Sequence, residues 1–157
     1  MAGDKLQVTF EADGSLSAPL SLFYPYNRTL GATYARFLSS LADKRIEGTR
    51  AQDGRVFVPP AEFDPSTGAS LNEWVQVGES GTVVQWSWQP SPFADNTLDE
   101  PFAWALILLD GADVPMLHAV RASSVTDMSV GMRVRAVWAD ERSPEITAIR
   151  CFEPVGG

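Results

Sequence analysis

The sequence predicts a mainly β protein with one helix near its N-terminus. Two observations support this fold class. Short apolar runs follow one another from residue 73 onward, and residues 29–44 carry apolar side chains at helical spacing. Gly, Pro, Asn and Asp separate the later runs. Five or so strands divided by such turns, over roughly 80 residues, are typical of a small barrel or sandwich.

The predicted helix has one apolar face. The side chains on that face are those of Leu30, Tyr34, Phe37, Leu38 and Leu41. Asn27 or Thr29 is a candidate cap for the first turn. Lys44 and Arg45 suit the C-terminal end, and Gly48 is expected to mark the exit from the helix.

The residues before the helix form a separate extension. Residues 6–10 alternate apolar and polar side chains, which predicts a short half-buried strand. Ala12–Gly14 is a turn, and Leu16 and Leu20 are expected to continue the returning strand. The aromatic segment 23–28, FYPYNR, then leads to the helix.

The region after residue 73 carries the predicted barrel or sandwich strands. In residues 82–88 one face is expected to carry Thr82, Val84, Trp86 and Trp88. Residues 102–111 are nearly all apolar, as expected of a strand that is buried on both faces. Shorter strands are predicted at 116–120, 131–138 and 145–152. A five-stranded OB-type barrel needs about this length, but periodicity alone does not separate it from a small sandwich.

Composition limits the classes of function. The chain has 157 residues, 45% of them apolar, and a net charge of −8. An acidic chain repels phosphate backbones, so we expect no nucleic-acid partner. The single cysteine, Cys151, fits a reducing compartment. The sequence shows neither a signal peptide nor an apolar run of about 20 residues, so we expect a cytoplasmic protein with no membrane partner.

Residues 48–72 contain two turns, which we together call the knuckle. Gly54 ends the first turn, Gly68 ends the second, and Pro59–Pro60 lies between them. Paired turns of this kind often hold a structural zinc ion through four thiolate or imidazole ligands. The knuckle contains neither cysteine nor histidine.

Three further motifs follow the helix and the knuckle in order: 79–83 (ESGTV), 101–111 (PFAWALILLDG) and 130–134 (VGMRV). Together these features resemble a family of small acyl-CoA-associated proteins that work beside thiolase-like enzymes. Members combine an N-terminal helix, a rubredoxin-like zinc ribbon and a C-terminal OB-fold. Each motif alone is common, so the order and spacing of all of them over residues 30–153 carry the resemblance.

The resemblance implies a degenerate zinc ribbon. The family's ribbon reads Cys-x-x-Cys-Gly, then Pro-Pro-Arg, then Cys-Pro-x-Cys-Gly. The four metal positions correspond here to Arg50, Asp53, Asp64 and Thr67. Because this set suits no structural zinc, we expect none, and we expect Asp53 and Asp64 to pair with Arg50 or Arg55. Packing must then hold the knuckle, with Val56, Phe57, Val58 and Phe63 as candidates.

The implied fold is a degenerate rubredoxin-like ribbon followed by a five-stranded OB-fold barrel. The divisions are an extension (1–27), the helix (28–47), the knuckle (48–72) and the barrel (73–157). The implied function is that of a non-catalytic partner subunit of a thiolase-like or lipid-transfer-type enzyme. That enzyme would act on acyl-CoA or steroid side-chain CoA thioesters, and a heterotetramer with it is compatible with the resemblance. No cofactor is expected in this chain, and acyl-CoA is the substrate of the complex.

Candidate contacts with the partner or with acyl-CoA are aromatic and arginine side chains. They are Phe23, Tyr24, Tyr26, Arg28, Arg36, Trp86 and Trp88. Aromatic residues are enriched at interface hot spots, and arginines pair with phosphates. The alternative for the two arginines is a solvated helix surface. The alternative for the two tryptophans is a place inside the barrel, beside Phe93 and Phe102.

The sequence offers no convincing catalytic set. His118 and Cys151 lie among apolar residues of predicted strands, and both are interpreted as buried structural residues. A group of acidic residues in the loop before residue 101 is interpreted as solvated; it comprises Asp95, Asp99 and Glu100.

Two other functions stay open at this point. One is a stand-alone enzyme in which His118 works with Asp110 or Asp113. The other is an OB domain that binds single-stranded nucleic acid, for which Arg133 and Arg135 would supply a basic stripe.

Overall fold

The structure is a computed structural model that describes residues 8–18 and 24–156. In these ranges the chain forms ten strands, one α-helix and two short 3-10 helices. The elements are β1 (Thr9–Phe10), β2 (Leu16–Ser17), α1 (Gly31–Ala42), β3 (Glu47–Arg50), β4 (Val56–Phe57), β5 (Glu73–Gln76), β6 (Ser80–Gln89), β7 (Phe102–Leu109), β8 (Met116–Val120), η1 (Val125–Asp127), β9 (Arg133–Trp138), η2 (Ile146–Ala148) and β10 (Ile149–Pro154).

Five of the strands form a closed barrel in the order β10-β8-β7-β6-β9. The pairs β6–β7, β7–β8, β6–β9 and β9–β10 are antiparallel, and the single pairing of β8 with β10 is parallel. The barrel has no open edge, so the sandwich alternative is excluded. The predicted fold class, mainly β with one helix and a five-stranded OB-fold barrel, is confirmed.

Strand β7, which is almost entirely apolar, is largely covered on both of its faces. Ala105 and Ile107 face the barrel interior and are buried. On the outer face, Phe102 is buried in a second cluster beneath Leu98 from the preceding loop. Leu106, farther along the outer face, is exposed. The prediction of burial on both faces therefore holds at the start of the strand and weakens toward its middle.

Strand β6 departs from simple alternation. Its pairing with β7 shifts register between Val83 and Gln85, which places a bulge at Val84. Val83 is buried and Val84 is exposed, whereas Trp86 and Trp88 beyond the bulge pack against the core. The prediction that Val84 shares a face with the two tryptophans is wrong, because a bulge changes which face the following residues occupy.

A second sheet lies before the barrel and has the order β4-β3-β5. Strand β5 pairs with β3 rather than with a barrel strand, although the sequence grouped it with the barrel. Gly48 lies within β3, so the prediction that it ends the helix is wrong. A Cβ atom at this position would lie 2.5 Å from the carbonyl oxygen of Phe57. Glycine is therefore required by the close approach of β4.

Helix α1 begins without a side-chain cap. The capping position is Leu30, and no side chain bonds the first turn. The predicted caps, Asn27 and Thr29, are therefore wrong. Gly31, with φ of 75°, sets the direction in which the helix starts, and only glycine adopts that conformation readily.

The C-terminal end of α1 is a Schellman motif. The backbone N–H of Arg45 donates to the Ser40 carbonyl at 2.8 Å, and that of Lys44 donates to the Leu41 carbonyl at 3.0 Å. Lys44 has a φ of 58°, a conformation that this motif usually assigns to glycine. No helix in the described ranges has the length and hydrophobicity needed to cross a bilayer.

Arg142, in the loop between β9 and β10, fastens the end of α1 to the barrel. Its Nε atom donates to the Ala42 carbonyl at 3.0 Å, and its Nη1 atom donates to the Ala139 carbonyl at 2.8 Å. One guanidinium thus joins the last residue of the helix to the loop that follows β9.

We expect Arg142→Ala to lower the free energy of unfolding by about 1 kcal/mol, because it removes charge-assisted hydrogen bonds from an exposed side chain. Urea titration at neutral pH measures this change. Arg150→Ala is the matched control, since Arg150 is exposed and makes no hydrogen bond or ion pair with the described residues. Equal destabilisation by both variants would contradict the role of Arg142.

Candidate functional site

The two turns of the knuckle are built alike. Gly54 has a φ of 92° and donates from its backbone N–H to the Ala51 carbonyl at 3.0 Å. Gly68 has a φ of 73° and donates to the Asp64 carbonyl at 2.8 Å. Each turn therefore depends on a glycine in a conformation that other residues rarely adopt.

The guanidinium of Arg55 connects the two turns. Its Nε atom donates to Asp53 of the first turn at 2.7 Å. Its Nη2 atom lies 3.6 Å from the Asp64 carboxylate and 3.1 Å from the Ser66 hydroxyl, both in the second turn. Hydrogen bonds from the Arg55 backbone N–H and side chain lower the pKa of Asp53. An ion pair therefore stands between the turns, formed by Arg55 rather than Arg50.

The other two predicted metal positions are engaged elsewhere. Arg50 pairs with Glu73 at 3.0 Å, and the Thr67 hydroxyl accepts a hydrogen bond from the Ala69 N–H at 3.3 Å. A guanidinium, two carboxylates held by another guanidinium and a hydroxyl do not fit a structural zinc ion. Across residues 8–18 and 24–156, no three His, Cys, Asp or Glu side chains cluster closely enough to hold a metal ion.

Buried apolar side chains hold the knuckle in place. Val56, Phe57 and Val58 are buried, as the sequence predicts. Phe63 is 53% exposed, so its predicted core role is wrong. The side chain of its neighbour Asp64 is buried instead and accepts a hydrogen bond from the Ser66 N–H at 2.7 Å.

We expect Arg55→Met to lower the midpoint of urea unfolding, because it leaves the buried Asp64 carboxylate without its cation. The control is Arg50→Met, which removes an exposed pair and should change the midpoint little. Added salt should narrow the difference between wild type and Arg55→Met, since about 1 M salt shortens the Debye length to about 3 Å. Equal midpoints for the two variants would contradict the bridging role of Arg55.

A group of large apolar side chains is exposed around the start of α1. We call this group the tyrosine segment, and its members are Tyr24, Tyr26, Leu30 and Tyr34. Tyr24 and Tyr26 are 75% and 79% exposed. The exposure arises because α1 is buried through its second half, at Phe37 and Leu41. Phe23, another predicted contact residue, lies outside the described residues.

The two predicted arginine contacts differ. Arg36 donates from two nitrogens to Glu47 at 3.2 Å, and its guanidinium lies 4.1 Å from the ring centre of Trp74. Its charge is therefore already engaged by the small sheet. Arg28 is exposed and forms no ion pair with the described residues.

Trp86 and Trp88 belong partly to the core. Both are half-buried and pack against the main apolar cluster. Phe93, which the alternative inside the barrel placed beside the two tryptophans, is instead 73% exposed on the loop after β6. Phe102 is buried on the outer face of β7 rather than in the barrel interior.

His118 and Cys151 are buried, as expected of structural residues. The His118 ring lies 5.5 Å from the Phe152 ring, and its Nδ1 atom accepts a hydrogen bond from the Ala119 N–H at 2.9 Å. Burial lowers the pKa of His118, with nearby backbone groups partly opposing the shift. Burial also raises the pKa of the Cys151 thiol, which disfavours the nucleophilic thiolate.

The acids of the alternative enzyme site and the arginines of the alternative nucleic-acid stripe are paired with other groups. Asp110 accepts a hydrogen bond from Arg133 at 2.8 Å, and Asp113 accepts one from the N–H at the start of β4 at 2.8 Å. Neither acid is bonded to His118. Arg135 lies 3.6 Å from Glu79. Both arginines of the proposed basic stripe are therefore neutralised by neighbouring carboxylates.

The buried His118 makes stability depend on pH. Its folded pKa lies below the unfolded value of about 6.5, so the unfolded state binds more protons in acid. The stability that the neutral, buried His118 contributes is therefore fully present above about pH 6.5. This contribution is lost as the pH falls toward the folded pKa of His118. We expect His118→Phe to flatten the change in unfolding free energy between about pH 7.5 and about pH 5.5, measured by urea titration. An unchanged slope would show that His118 is not the titrating group.

A cleft in the described part of the chain has a volume of about 510 Å³. Three carboxylates line it, from Glu100, Asp127 and Glu153, beside a single arginine, Arg121. Arg121 is already paired with Glu100 at 2.9 Å and Glu153 at 2.7 Å. This charge repels the phosphates of CoA. The sequence did not reveal the cleft because its residues come from four separate segments.

The barrel segment matches a known family. Residues 74–139 match the family model described as ChsH2, C-terminal OB-fold domain. Over these residues the chain is similar to that domain. The match confirms the resemblance to the acyl-CoA-associated OB-fold family, while the degenerate ribbon before it stays a prediction. A search of curated proteins gave no match.

Solved structures share the fold over more of the chain than residues 74–139. A chain of the Ltp2–ChsH2(DUF35) aldolase superposes with a TM-score of 0.61 at 16% identity, covering 82% of this chain and 98% of that one. A DUF35-family protein of unknown function from Sulfolobus solfataricus gives a TM-score of 0.57 at 18% identity, with 79% and 84% covered. At these identities the likeness establishes a shared fold.

Proposed function

We propose that this chain is a non-catalytic partner subunit of a thiolase-like or lipid-transfer-type enzyme that acts on acyl-CoA or steroid side-chain CoA thioesters. The observation that carries the proposal is the likeness over nearly the whole of a chain from the Ltp2–ChsH2(DUF35) aldolase. That protein's name joins two components in one aldolase. The match of residues 74–139 to the ChsH2 C-terminal OB-fold model supports the same assignment.

The chemistry of the chain agrees with a supporting role. His118 is buried without a carboxylate partner among the described residues, and the pKa of Cys151 is raised. A nucleophile or general base has to reach the substrate, and neither side chain does so. The reacting groups of the complex would therefore come from the partner.

The tyrosine segment is the surface that best suits the partner. Exposed tyrosines offer large, rigid contact areas with a polar tip, and such residues dominate interface energetics. Arg28 lies next to this surface in the sequence and keeps its charge available for a CoA phosphate or a partner carboxylate. The half-buried Trp86 and Trp88 contribute more to the core than to a contact.

CoA itself would lie mainly on the partner. The large cleft of this chain is acidic, and the cleft beside the knuckle holds only about 160 Å³. Neither suits a nucleotide with several phosphates. The chain would instead shape or stabilise the partner's active site, in a cytoplasmic assembly for which a heterotetramer is the expected form.

Affinity purification of the tagged chain from its native host tests the proposal. We expect a thiolase-like or lipid-transfer-type chain to co-purify in stoichiometric amount, and the pair to cleave a CoA thioester. Tyr24→Ser with Tyr26→Ser should weaken the complex by about tenfold or more, measured by titration of the purified partner. Phe93→Ser is the matched control, because Phe93 is equally exposed but lies on the barrel loop.

Two results would contradict the proposed function. One is a stable, monomeric chain that recovers no such companion under gentle conditions. The other is turnover of CoA thioesters by the isolated chain. If Phe93→Ser weakens the complex while the tyrosine variant does not, the partner role survives but the interface lies on the barrel loop.

A further inference from the structure

Residues 8–18 form an N-terminal hairpin that belongs to neither the small sheet nor the barrel. Strands β1 and β2 pair antiparallel, with Phe10 opposite Leu16 and Thr9 opposite Ser17. Every residue from 8 to 18 is exposed, and among the described residues these eleven form hydrogen bonds only with one another. A two-stranded hairpin that lacks a covering layer is marginally stable in water.

Turn chemistry nevertheless specifies this hairpin. The Glu11 N–H donates to the Ser15 carbonyl at 2.9 Å, and the Gly14 N–H donates back to the Glu11 carbonyl at 3.0 Å. Gly14 has a φ of 84°, and the Asp13 carboxylate accepts from the Ser15 N–H at 2.9 Å. This is a three-residue loop closed by a left-handed glycine, one of the preferred hairpin connections. The sequence therefore encodes the hairpin locally, without help from the barrel.

The hairpin has one apolar and one polar face. Cross-strand partners share a face, and side chains alternate along a strand. Val8, Phe10 and Leu16 therefore lie together, and all three are exposed. On the opposite face, the Ser17 hydroxyl donates to Glu11 at 2.6 Å. A locally specified hairpin with an uncovered apolar face is suited to docking against another surface.

The exposed area matches what a specific complex needs. Phe10 is 80% exposed, and three tyrosines of the tyrosine segment follow it within the next 24 residues. At about 200 Å² for an aromatic side chain, these four residues offer roughly 550 Å² of surface. Val8, Leu16 and Leu30 add to this area. A standard interface buries about 800 Å² on each partner, so the hairpin and the tyrosine segment could each supply part of one.

The charge of the hairpin favours a different protein, rather than a second copy of this chain, as its partner. The ionisable residues of the hairpin are Glu11 and Asp13, both acidic. Each copy of this chain carries a net charge of −8, so a second copy would oppose the acidic turn with like charge. A partner with an apolar groove and a basic rim complements both features of the hairpin.

We propose that the hairpin is a docking arm whose Val8, Phe10 and Leu16 insert into an apolar, basic-rimmed groove on the thiolase-like subunit. This inference rests on the proposed function and extends its interface beyond the tyrosine segment. The turn hydrogen bonds and Gly14 favour the hairpin conformation locally, which lowers the entropic cost of ordering the arm on binding.

Site-specific photo-cross-linking in the native host tests the docking arm. The photoreactive residue p-benzoylphenylalanine is placed at position 10, on the apolar face, or at position 9, on the polar face, as the matched control. We expect position 10 to cross-link to the thiolase-like chain, identified by mass spectrometry, several times more efficiently than position 9. Phe10→Ser with Leu16→Ser should also raise the dissociation constant of the purified complex about tenfold, whereas Ser17→Ala should leave it unchanged.

The outcomes separate this inference from the proposed function. If the complex co-purifies but position 10 cross-links to nothing or to a second copy, the docking arm is wrong and the partner role stands. An unchanged dissociation constant for the double serine variant has the same meaning. If the wild-type chain recovers no thiolase-like subunit, the proposed function fails, and the docking arm fails with it because its occupant is absent.

Discussion

Phe37 and Leu41 of α1 pack into the same buried cluster as Val58 of the knuckle and the barrel residues Ile107 and Phe152. Three parts of the chain that are far apart in sequence thus share one apolar core. Burial of large side chains contributes about 1.5–3 kcal/mol each, more than an exposed ion pair does. The positions of the helix and the small sheet on the barrel both follow from this shared core.

The shared core also determines which surface is left uncovered. It buries the second half of α1 and leaves Tyr34 and the residues before it exposed. The barrel interior is filled by side chains, and His118 is buried within the structure. The exposed aromatic side chains of the tyrosine segment and of the hairpin are of the kind that is enriched at protein interfaces.

The knuckle shows how a metal-type turn pair is held in this chain. A structural zinc would contribute folding energy directly, whereas the Arg55 bridge offers a much smaller electrostatic term. The difference is offset by Val56, Phe57 and Val58, which join the knuckle to apolar clusters of the protein. The two turn glycines, both with positive φ, set the backbone shape of the turns.

The sequence by itself determined the fold class, the helix and the hairpin turn, because periodicity and turn chemistry act over a few neighbouring residues. The tertiary structure decided the bulge at Val84, the exposure of Phe63 and the choice of Arg55 over Arg50 as the bridge. Each of these depends on a pairing or a contact with residues distant in the chain or in the next turn. Whether an aromatic residue such as Tyr24 is buried or exposed depends on how far the core extends. The sequence pattern alone does not give that extent.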